Sequence, residues 1–296
     1  MGNDRFERGI RWAEWTCIAF AAVGLILAIA GPLGPLQFWE RRVDALFFGA
    51  RPQPELQPFK AATFGILGGS IVGKWCAAWW LVRVPLRQRQ RWALGGLWSG
   101  LLVWFLIDSV VSWRSGATFN IWLINAVPLV VMGGLLLRLR SGMRPQSAAE
   151  TASFGALPVG WRSLGLISIA FVGVGLVVAF GMDGPFFAIY RDLFGRYFFG
   201  GDLPLEAQRY LVFIAGPIGA TFAGHFAMLA WAVRSTGAQR PAWLLQCVVT
   251  SVMAWFVVDS SMSILHGAWF NVVVVNVPTL VAMAYPVWRA RPAPRP

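Results

Sequence analysis

Two clusters of polar residues recur inside strongly apolar stretches of the chain. WFLIDSVVSWRSGATFNIWLIN covers residues 104–125, and WFVVDSSMSILHGAWFNVVVVN covers residues 255–276, which is 151 positions later. Each stretch holds an aspartate, a serine four residues on, and two asparagines: Asp108, Ser112, Asn120, Asn125, Asp259, Ser263, Asn271 and Asn276. Oxygen atoms of these types bind hard cations, and ionisable groups inside membrane helices often carry protons or ions. The first hypothesis is therefore a cation or proton site.

A structural role explains the same residues equally well. In a helical hairpin the aspartate would accept hydrogen bonds from the serine, the asparagine amide and free N–H groups of the next helix. Positions at equal depth in a symmetric hairpin have a constant sum, which pairs Asp108 with Asn125 and Ser112 with Asn120. Asn120 and Asn125 are about 140° apart on an α-helix, so we expect them to share a face poorly and Asn120 to act as an N-cap. Duplication of the segment fits both hypotheses.

Lys74 and His225 are a second pair of polar residues separated by 151 positions within apolar stretches. The helical rise puts Lys74 about 22 Å below the start of its segment and about 15 Å deeper than Asp108, so we expect no direct ion pair between them without a kink. We expect the Lys74 side chain to snorkel to the cytoplasmic interface and His225 to be hydrogen-bonded inside the bundle. The alternative is a ligand or proton site that diverged after the duplication.

Enzymatic motifs are weak in this sequence. Asp259, Ser263 and His266 share a helix face, but Ser115 replaces the histidine in the first copy. Side chains on one helix also point in parallel, whereas the groups of a catalytic triad hydrogen-bond one to the next. Neither aspartate lies in an aspartyl-protease context. Two histidines do not suit a haem held by paired histidines, and the three cysteines form no metal motif. No nucleotide-binding, metalloprotease or nucleic-acid motif occurs, so the cofactor stays unknown and nucleic acid is not an expected partner.

Composition predicts a protein of the lipid bilayer. Of the 296 residues, 57% are hydrophobic and 13% are charged, about half the charged fraction of soluble domains. A helix needs about 20 mostly apolar residues to cross a bilayer. Continuous rather than alternating apolar runs predict an all-α bundle of eight spans, at about 15–36, 59–82, 92–113, 119–139, 161–182, 210–233, 241–263 and 269–288.

The distribution of basic residues predicts the orientation of the spans. The net charge is +12. Sixteen Lys and Arg residues lie in the termini and the loops on their side, eight lie in the opposite loops, and Lys74 lies within a span. Since cytoplasmic loops carry the excess of positive charge, both termini are predicted to be cytoplasmic in an inner-membrane protein. The first span has a counterpart inside the chain, which argues against its removal as a signal peptide.

The chain is predicted to be a tandem repeat. Residues 65–125 align without gaps on residues 216–276, with 20 of 61 positions identical. Each repeat contains four spans, so both have the same orientation and a pseudo-twofold axis along the membrane normal. The predicted units are residues 1–140 and 161–296, joined by a cytoplasmic linker at 141–160.

Small residues and prolines mark the expected helix contacts and bends. Gly65, Gly69 and Gly73 have the spacing that lets helix backbones approach closely, and the second repeat keeps it. We expect intrachain packing there, with the second and sixth spans at the centre. Pro128 and Pro278 are expected to kink their helices, as tolerated structure or as a hinge. The loops at 37–58 and 183–209 are expected to form short interfacial helices or a protein-binding surface.

These observations favour a transporter or ion-handling protein for a small solute. The alternative is a non-catalytic subunit or assembly factor that holds membrane protein partners. A third hypothesis is a membrane enzyme acting on a lipid or quinone. Two aspartates lining one water-filled cavity would favour transport, whereas aspartates separated and sealed in two hairpins would favour the structural role.

Overall fold

The structure is a computed structural model that describes residues 2–31, 36–49, 56–144, 154–239 and 241–291. Within these ranges the chain is helical and contains no strand. The helices of eleven or more residues are α1 (Asn3–Ala30), α2 (Gln37–Phe47), α3 (Gln57–Leu86), α4 (Trp92–Arg114), α5 (Thr118–Gly142), α6 (Val159–Gly181), α7 (Ala188–Phe199), α8 (Leu205–Gln239), α9 (Ala242–Leu265) and α10 (Trp269–Ala290).

Eight of these helices are long and apolar enough to cross a membrane, which confirms a multi-pass membrane protein. The spans overlap all eight predicted segments. Helix α1 begins at Asn3 instead of near residue 15, because a polar flank continues the helix beyond the apolar window. Phe6 and Ile10 in that flank are fully buried. Of the predicted linker, residues 145–153 lie outside the described part of the chain.

Helices α3 and α8 form the centre of the bundle, as the glycine pattern predicted. They are the most deeply buried of the eight spans, and they pack against each other. Helix α3 also packs against α1 and α9, and α8 packs against α6 and α4. The hairpin of α4 and α5 therefore lies against the central helix of the other half of the chain, and the hairpin of α9 and α10 does the same.

The three glycines at every fourth position of α3, Gly65, Gly69 and Gly73, face α9, which confirms intrachain packing. A Cβ atom on Gly69 would lie 2.8 Å from the backbone nitrogen of Asp259, and one on Gly73 would lie 2.7 Å from the Cβ of Trp255. Side chains at these positions would push the two helices apart. The missing side chains thus bring the backbone of α3 directly beside the aspartate on α9.

The short helices α2 and α7 confirm the prediction of helices in the two long loops. Lys60, at the start of α3, makes ion pairs with Glu40 and, at 2.8 Å, with Asp44 on α2. On α7 the Arg191 guanidinium donates instead to the backbone carbonyls of Met182 and Gly184. Both short helices are thereby fixed over one end of the bundle, called here the α2–α7 end.

Candidate functional site

The first polar cluster closes the hairpin of α4 and α5. One oxygen of Asp108, Oδ1, accepts hydrogen bonds from the Ser112 hydroxyl at 3.1 Å and the Asn120 amide at 3.0 Å. The Asn120 amide also lies 2.9 Å from the Ser112 oxygen, as the equal-depth pairing predicted. All three side chains are at most 2% exposed. The carboxylate therefore joins the last turns of α4 to the first turn of α5.

A π-helical turn brings Asn125 into the same cluster. Residues Ile121–Asn125 form this turn, which ends three residues before Pro128, close to where the sequence predicted a kink. A π-helix forms i→i+5 hydrogen bonds, so residues five apart come close to one face. The Asn120 amide lies 3.5 Å from the Asn125 Oδ1 atom, and the Asn125 amide lies 3.4 Å from the Ser109 hydroxyl.

Two predictions about these asparagines were therefore wrong. Asn120 and Asn125 share a face, because the turn between them is not α-helical. Asn120 is also not an N-cap: the cap position is Ala117, and no side chain caps it. The Asn120 amide donates to Asp108, and its oxygen, the atom that would cap a helix, accepts from the Trp39 indole instead.

The second polar cluster has the same arrangement in the hairpin of α9 and α10. Oδ1 of Asp259 accepts from the Ser263 hydroxyl at 3.0 Å and from the amides of Asn271 at 2.8 Å and Asn276 at 2.9 Å. The Asn276 amide also lies 3.0 Å from the Ser260 hydroxyl. A second π-helical turn, Val272–Asn276, brings the two asparagines together.

Each cluster is completed by an aromatic residue from a short helix. The Trp39 indole of α2 donates to the Asn120 Oδ1 atom at 2.9 Å, and the Tyr190 hydroxyl of α7 donates to the Asn271 Oδ1 atom at 2.8 Å. Burial raises the pKa of Tyr190 above its ordinary range, so the phenol stays a neutral donor. Sequence reasoning missed both residues. Their separation by 151 positions, the same offset as the aspartates, is the signal that could have found them.

The two aspartates line separate cavities. Asp108 and Asn120 face a cavity of about 240 Å³, and Asp259 and Asn271 face one of about 80 Å³. The two cavities have no lining residue in common. The larger cavity lies among α1, α3, α4, α5 and α8, and its wall is mostly apolar.

Lys74 also lines the larger cavity. Its side chain is 3% exposed, and its Nζ atom lies 3.9 Å from the ring centroid of Trp104 and 5.3 Å from that of Trp75. The expectation that Lys74 snorkels to the interface was wrong, because the two indole faces hold the amino group inside the bundle. No ion pair joins Lys74 to Asp108 among the described residues, as expected.

His225 is buried and hydrogen-bonded inside the bundle, as predicted. Its Nε2 atom lies 3.0 Å from the Ser251 hydroxyl, and its ring stacks on Phe226 with centroids 5.0 Å apart. It does not line the smaller cavity, whereas its counterpart Lys74 lines the larger one. The two residues at this pair of positions therefore differ in location as well as in chemistry.

The arrangement around Asp259 is not that of a catalytic triad. Ser263 donates to Asp259 directly, and His266 lies at the end of α9, half-buried, where burial lowers its pKa. In the described part of the chain no hydrogen bond joins His266 to Ser263. The same part contains no group of three His, Cys, Asp or Glu side chains that could hold a metal ion.

Sequence reasoning also missed Thr221 of α8. Its hydroxyl oxygen is buried, lines the larger cavity and has no hydrogen-bond partner in the described part of the chain. The larger cavity thus combines an apolar wall with Lys74, Asp108, Asn120 and Thr221. Comparison of the chain with protein-family models, with curated proteins and with solved structures finds no match.

Proposed function

We propose that the chain consists of two parallel repeats, residues 1–140 and 161–296, related by a pseudo-twofold axis along the membrane normal. Residues that correspond by the offset of 151 can touch each other only close to such an axis. Phe59 and Tyr210 are such a pair, with ring centroids 5.6 Å apart, and so are Trp92 and Trp243, at 6.2 Å. The first pair lies towards the α2–α7 end and the second lies at the opposite end, which supports an axis running the length of the bundle.

Corresponding helix contacts support the same proposal. The packing of α1 on α3 has its counterpart in α6 on α8, and α4 on α8 has its counterpart in α9 on α3. The excess of basic residues on the side of the termini supports cytoplasmic termini in an inner membrane. The α2–α7 end would then face the extracytoplasmic side.

We propose further that the protein moves or binds a small solute at the larger cavity, as a transporter would. The observation that carries this proposal is the difference between two corresponding cavities. The one next to Asp108 has three times the volume of the other and contains Lys74. A mostly apolar cavity with a few convergent polar groups is the usual form of a ligand site. Asp259 and its partners would then act as the structural counterpart that holds the second hairpin.

Charge movement in reconstituted membranes tests this proposal. Wild-type protein in proteoliposomes on a solid-supported membrane should give transient currents for at least one member of a panel of ions, organic acids and amines. Asp108→Asn should abolish the current while the protein still elutes as a folded species. Asp192→Asn, which changes an exposed aspartate paired with Arg196, is the matched control and should keep the current. Equal currents from both variants would contradict a role for Asp108.

A non-catalytic subunit or assembly factor is the second candidate. It is favoured by the separation of the aspartates into two cavities, each carboxylate accepting hydrogen bonds from its own hairpin. Phe186 and Ile189 beside and on α7 are also exposed by more than 70%, which would suit contact with another membrane protein. Mass spectrometry after gentle extraction from the native membrane separates the candidates. A partner in constant stoichiometry supports the subunit, and a protein without one supports the solute site.

A further inference from the structure

We infer that the larger cavity binds a bilayer-soluble amphipathic molecule whose head carries acceptor oxygens and whose apolar tail stays in the lipid. This inference rests on the proposed function in taking the larger cavity as the ligand site. The head would lie between Lys74 and Thr221. The tail would leave sideways between α1 and α5.

The cavity presents hydrogen-bond donors that the protein does not use. Lys74 has three N–H donors, and none of them makes a hydrogen bond or ion pair with a described residue. Its Nζ atom lies over the indole rings of Trp75 and Trp104. The Thr221 hydroxyl is buried and meets no partner within the ranges that the structure describes. Buried polar groups in native proteins are nearly always hydrogen-bonded. Thr221 and Lys74 both line the larger cavity, so an acceptor on a ligand held there would satisfy their donors.

Two acceptor atoms of the cavity are already occupied. The Asp108 Oδ1 atom accepts from Ser112 and Asn120, and the Asn120 oxygen accepts from Trp39. The Asp108 Oδ2 atom accepts no hydrogen bond from a described residue, but it is one acceptor beside the four unused donor hydrogens of Lys74 and Thr221, so we expect the ligand head to supply acceptor oxygens. A carboxylate and a neutral quinone carbonyl share this chemistry, whereas a quaternary ammonium does not.

The size of the cavity indicates that only part of the ligand enters. Its volume is about 240 Å³, and pockets for whole small ligands begin at about 300 Å³. Phe20, Ile71 and Trp75 line it besides the polar groups. A head and its first few carbon atoms would fill this space, and a longer chain would extend beyond it.

The position of the opening indicates that the ligand comes from the bilayer. Val23 of α1 and Leu123 and Val127 of α5 line the cavity and are each between 37% and 46% exposed. At the other end of these helices, Gly9 packs against Leu139, so α1 and α5 meet there. The exposed rim therefore lies on the apolar flank of two spanning helices, where the surroundings are lipid.

The corresponding cavity in the second half lacks these features. Ser70 stands where Thr221 stands in the first cavity, and its hydroxyl donates to the Ile66 carbonyl. His225, the counterpart of Lys74, is bonded to Ser251. The smaller cavity thus provides a matched control within the same protein.

Native mass spectrometry of the full chain released from phosphatidylcholine nanodiscs tests the inference. The probes are laurate, decylubiquinone and dodecyltrimethylammonium, which have similar tails and different heads. Wild type should retain laurate or decylubiquinone as a 1:1 adduct and should not retain the ammonium amphiphile. The double variant Lys74→Met/Thr221→Val should weaken the adduct at least tenfold, and Ser70→Ala should leave it unchanged.

The three probes identify the source of the acceptor oxygens. Retention of laurate alone indicates a carboxylate ligand, and retention of decylubiquinone alone indicates a neutral carbonyl. The inference is overturned if wild type retains neither probe, if it retains the ammonium amphiphile equally, or if the double variant binds as wild type does.

Thermal unfolding separates loss of the site from loss of the fold. Because Lys74 is buried without an acceptor, Lys74→Met should keep or raise the melting temperature, and a weaker adduct would then report on the site. The proposed function can also fail separately. Adducts without any charge movement would refute transport, but they would still support the ligand site. Currents for a water-soluble solute, together with no adduct of any probe, would refute the amphipathic ligand but would still support transport.

Discussion

Each aspartate is kept in an apolar bundle by donors placed around a single oxygen. Burying a carboxylate without partners costs several kcal/mol. At Asp259 this cost is offset by one hydroxyl and two amides, and at Asp108 by a hydroxyl and an amide of the same types. The aspartates therefore contribute to the stability of the two hairpins, whether or not they also bind a solute.

Asp259→Asn is expected to destabilise the protein by about 1–3 kcal/mol, the usual cost of leaving buried hydrogen-bonding groups unsatisfied. An amide in place of the carboxylate supplies a weaker acceptor and, in one orientation, turns a donor towards the amides of Asn271 and Asn276. Thermal unfolding in detergent measures the effect. Asp192→Asn, in an exposed ion pair, should change the melting temperature little. Equal shifts for both variants would refute a structural role for Asp259.

Glu40 is the residue through which pH is expected to act on the α2–α7 end. It is 8% exposed and paired with Lys60. Burial raises the pKa of Glu40 above its ordinary value of 4.5; the hydrogen bond and charge of Lys60 act in the opposite direction without offsetting it, and Asp44 adds a smaller upward contribution. Between the ordinary and the raised pKa, the folded protein therefore binds a proton that the unfolded chain releases.

The stability contributed by this group is present below the ordinary pKa of glutamate and is lost as pH rises through the raised pKa. We expect the melting temperature to contain a component that falls across this window, and Glu40→Gln to remove that component. Glu206→Gln changes an exposed residue at the start of α8 and should leave the profile as in wild type. Melting curves over a pH series check this, and an unchanged slope in Glu40→Gln would contradict it.

At the scale of elements, close helix contacts and π-helical turns position the clusters. The α3 backbone can reach α9 only where glycine leaves room, and Gly69 lies directly beside Asp259. The turns Ile121–Asn125 and Val272–Asn276 rotate their asparagines onto a common face. An ordinary α-helix would separate these amides by about 140°.

Gly69→Ala is expected to cost about 1–3 kcal/mol, because the new methyl group would overlap the backbone of α9 and force the helices apart. Gly173→Ala on α6 is the matched control, since a Cβ atom there meets nothing within 4 Å. It should be neutral or stabilising by up to about 1 kcal/mol, as alanine is the better helix former. Thermal unfolding of both variants tests the contact, and similar shifts would refute it.

At the scale of the whole molecule, the two halves are interlocked. The hairpin of α4 and α5 packs on α8, and the hairpin of α9 and α10 packs on α3. Each central helix therefore makes large contacts with both halves. We expect one cooperative unfolding transition for the bundle, because neither half keeps its central contacts without the other.

The proposed orientation gives a prediction for the whole chain in intact cells. In a variant with Cys17, Cys76 and Cys247 replaced by serine, Asp183→Cys should react with an impermeant maleimide added outside the inner membrane. Gln88→Cys lies at the opposite end of the bundle and should react only after the membrane is permeabilised. Both residues are exposed. The reverse pattern would refute cytoplasmic termini.

The sequence by itself determined the spans and the polar clusters. Eight apolar stretches are sufficient to predict eight membrane helices, because a segment that crosses a bilayer must satisfy its own backbone hydrogen bonds, as a helix does. The pairing of Ser112 with Asn120 followed from their spacing around a turn, and the packing role of Gly69 followed from its spacing along one helix. These are local relations, and helix geometry alone fixes them.

The tertiary structure decided everything that depends on which helices meet. The π-helical turn placed Asn125 beside Asn120 against the α-helical expectation, and the faces of Trp75 and Trp104 held Lys74 inside the bundle instead of at the interface. Trp39 reached Asn120 from a position 81 residues earlier. Because contacts between helices depend on crossing angles and on where small residues lie, periodicity within one helix could not predict the cavity that these residues enclose.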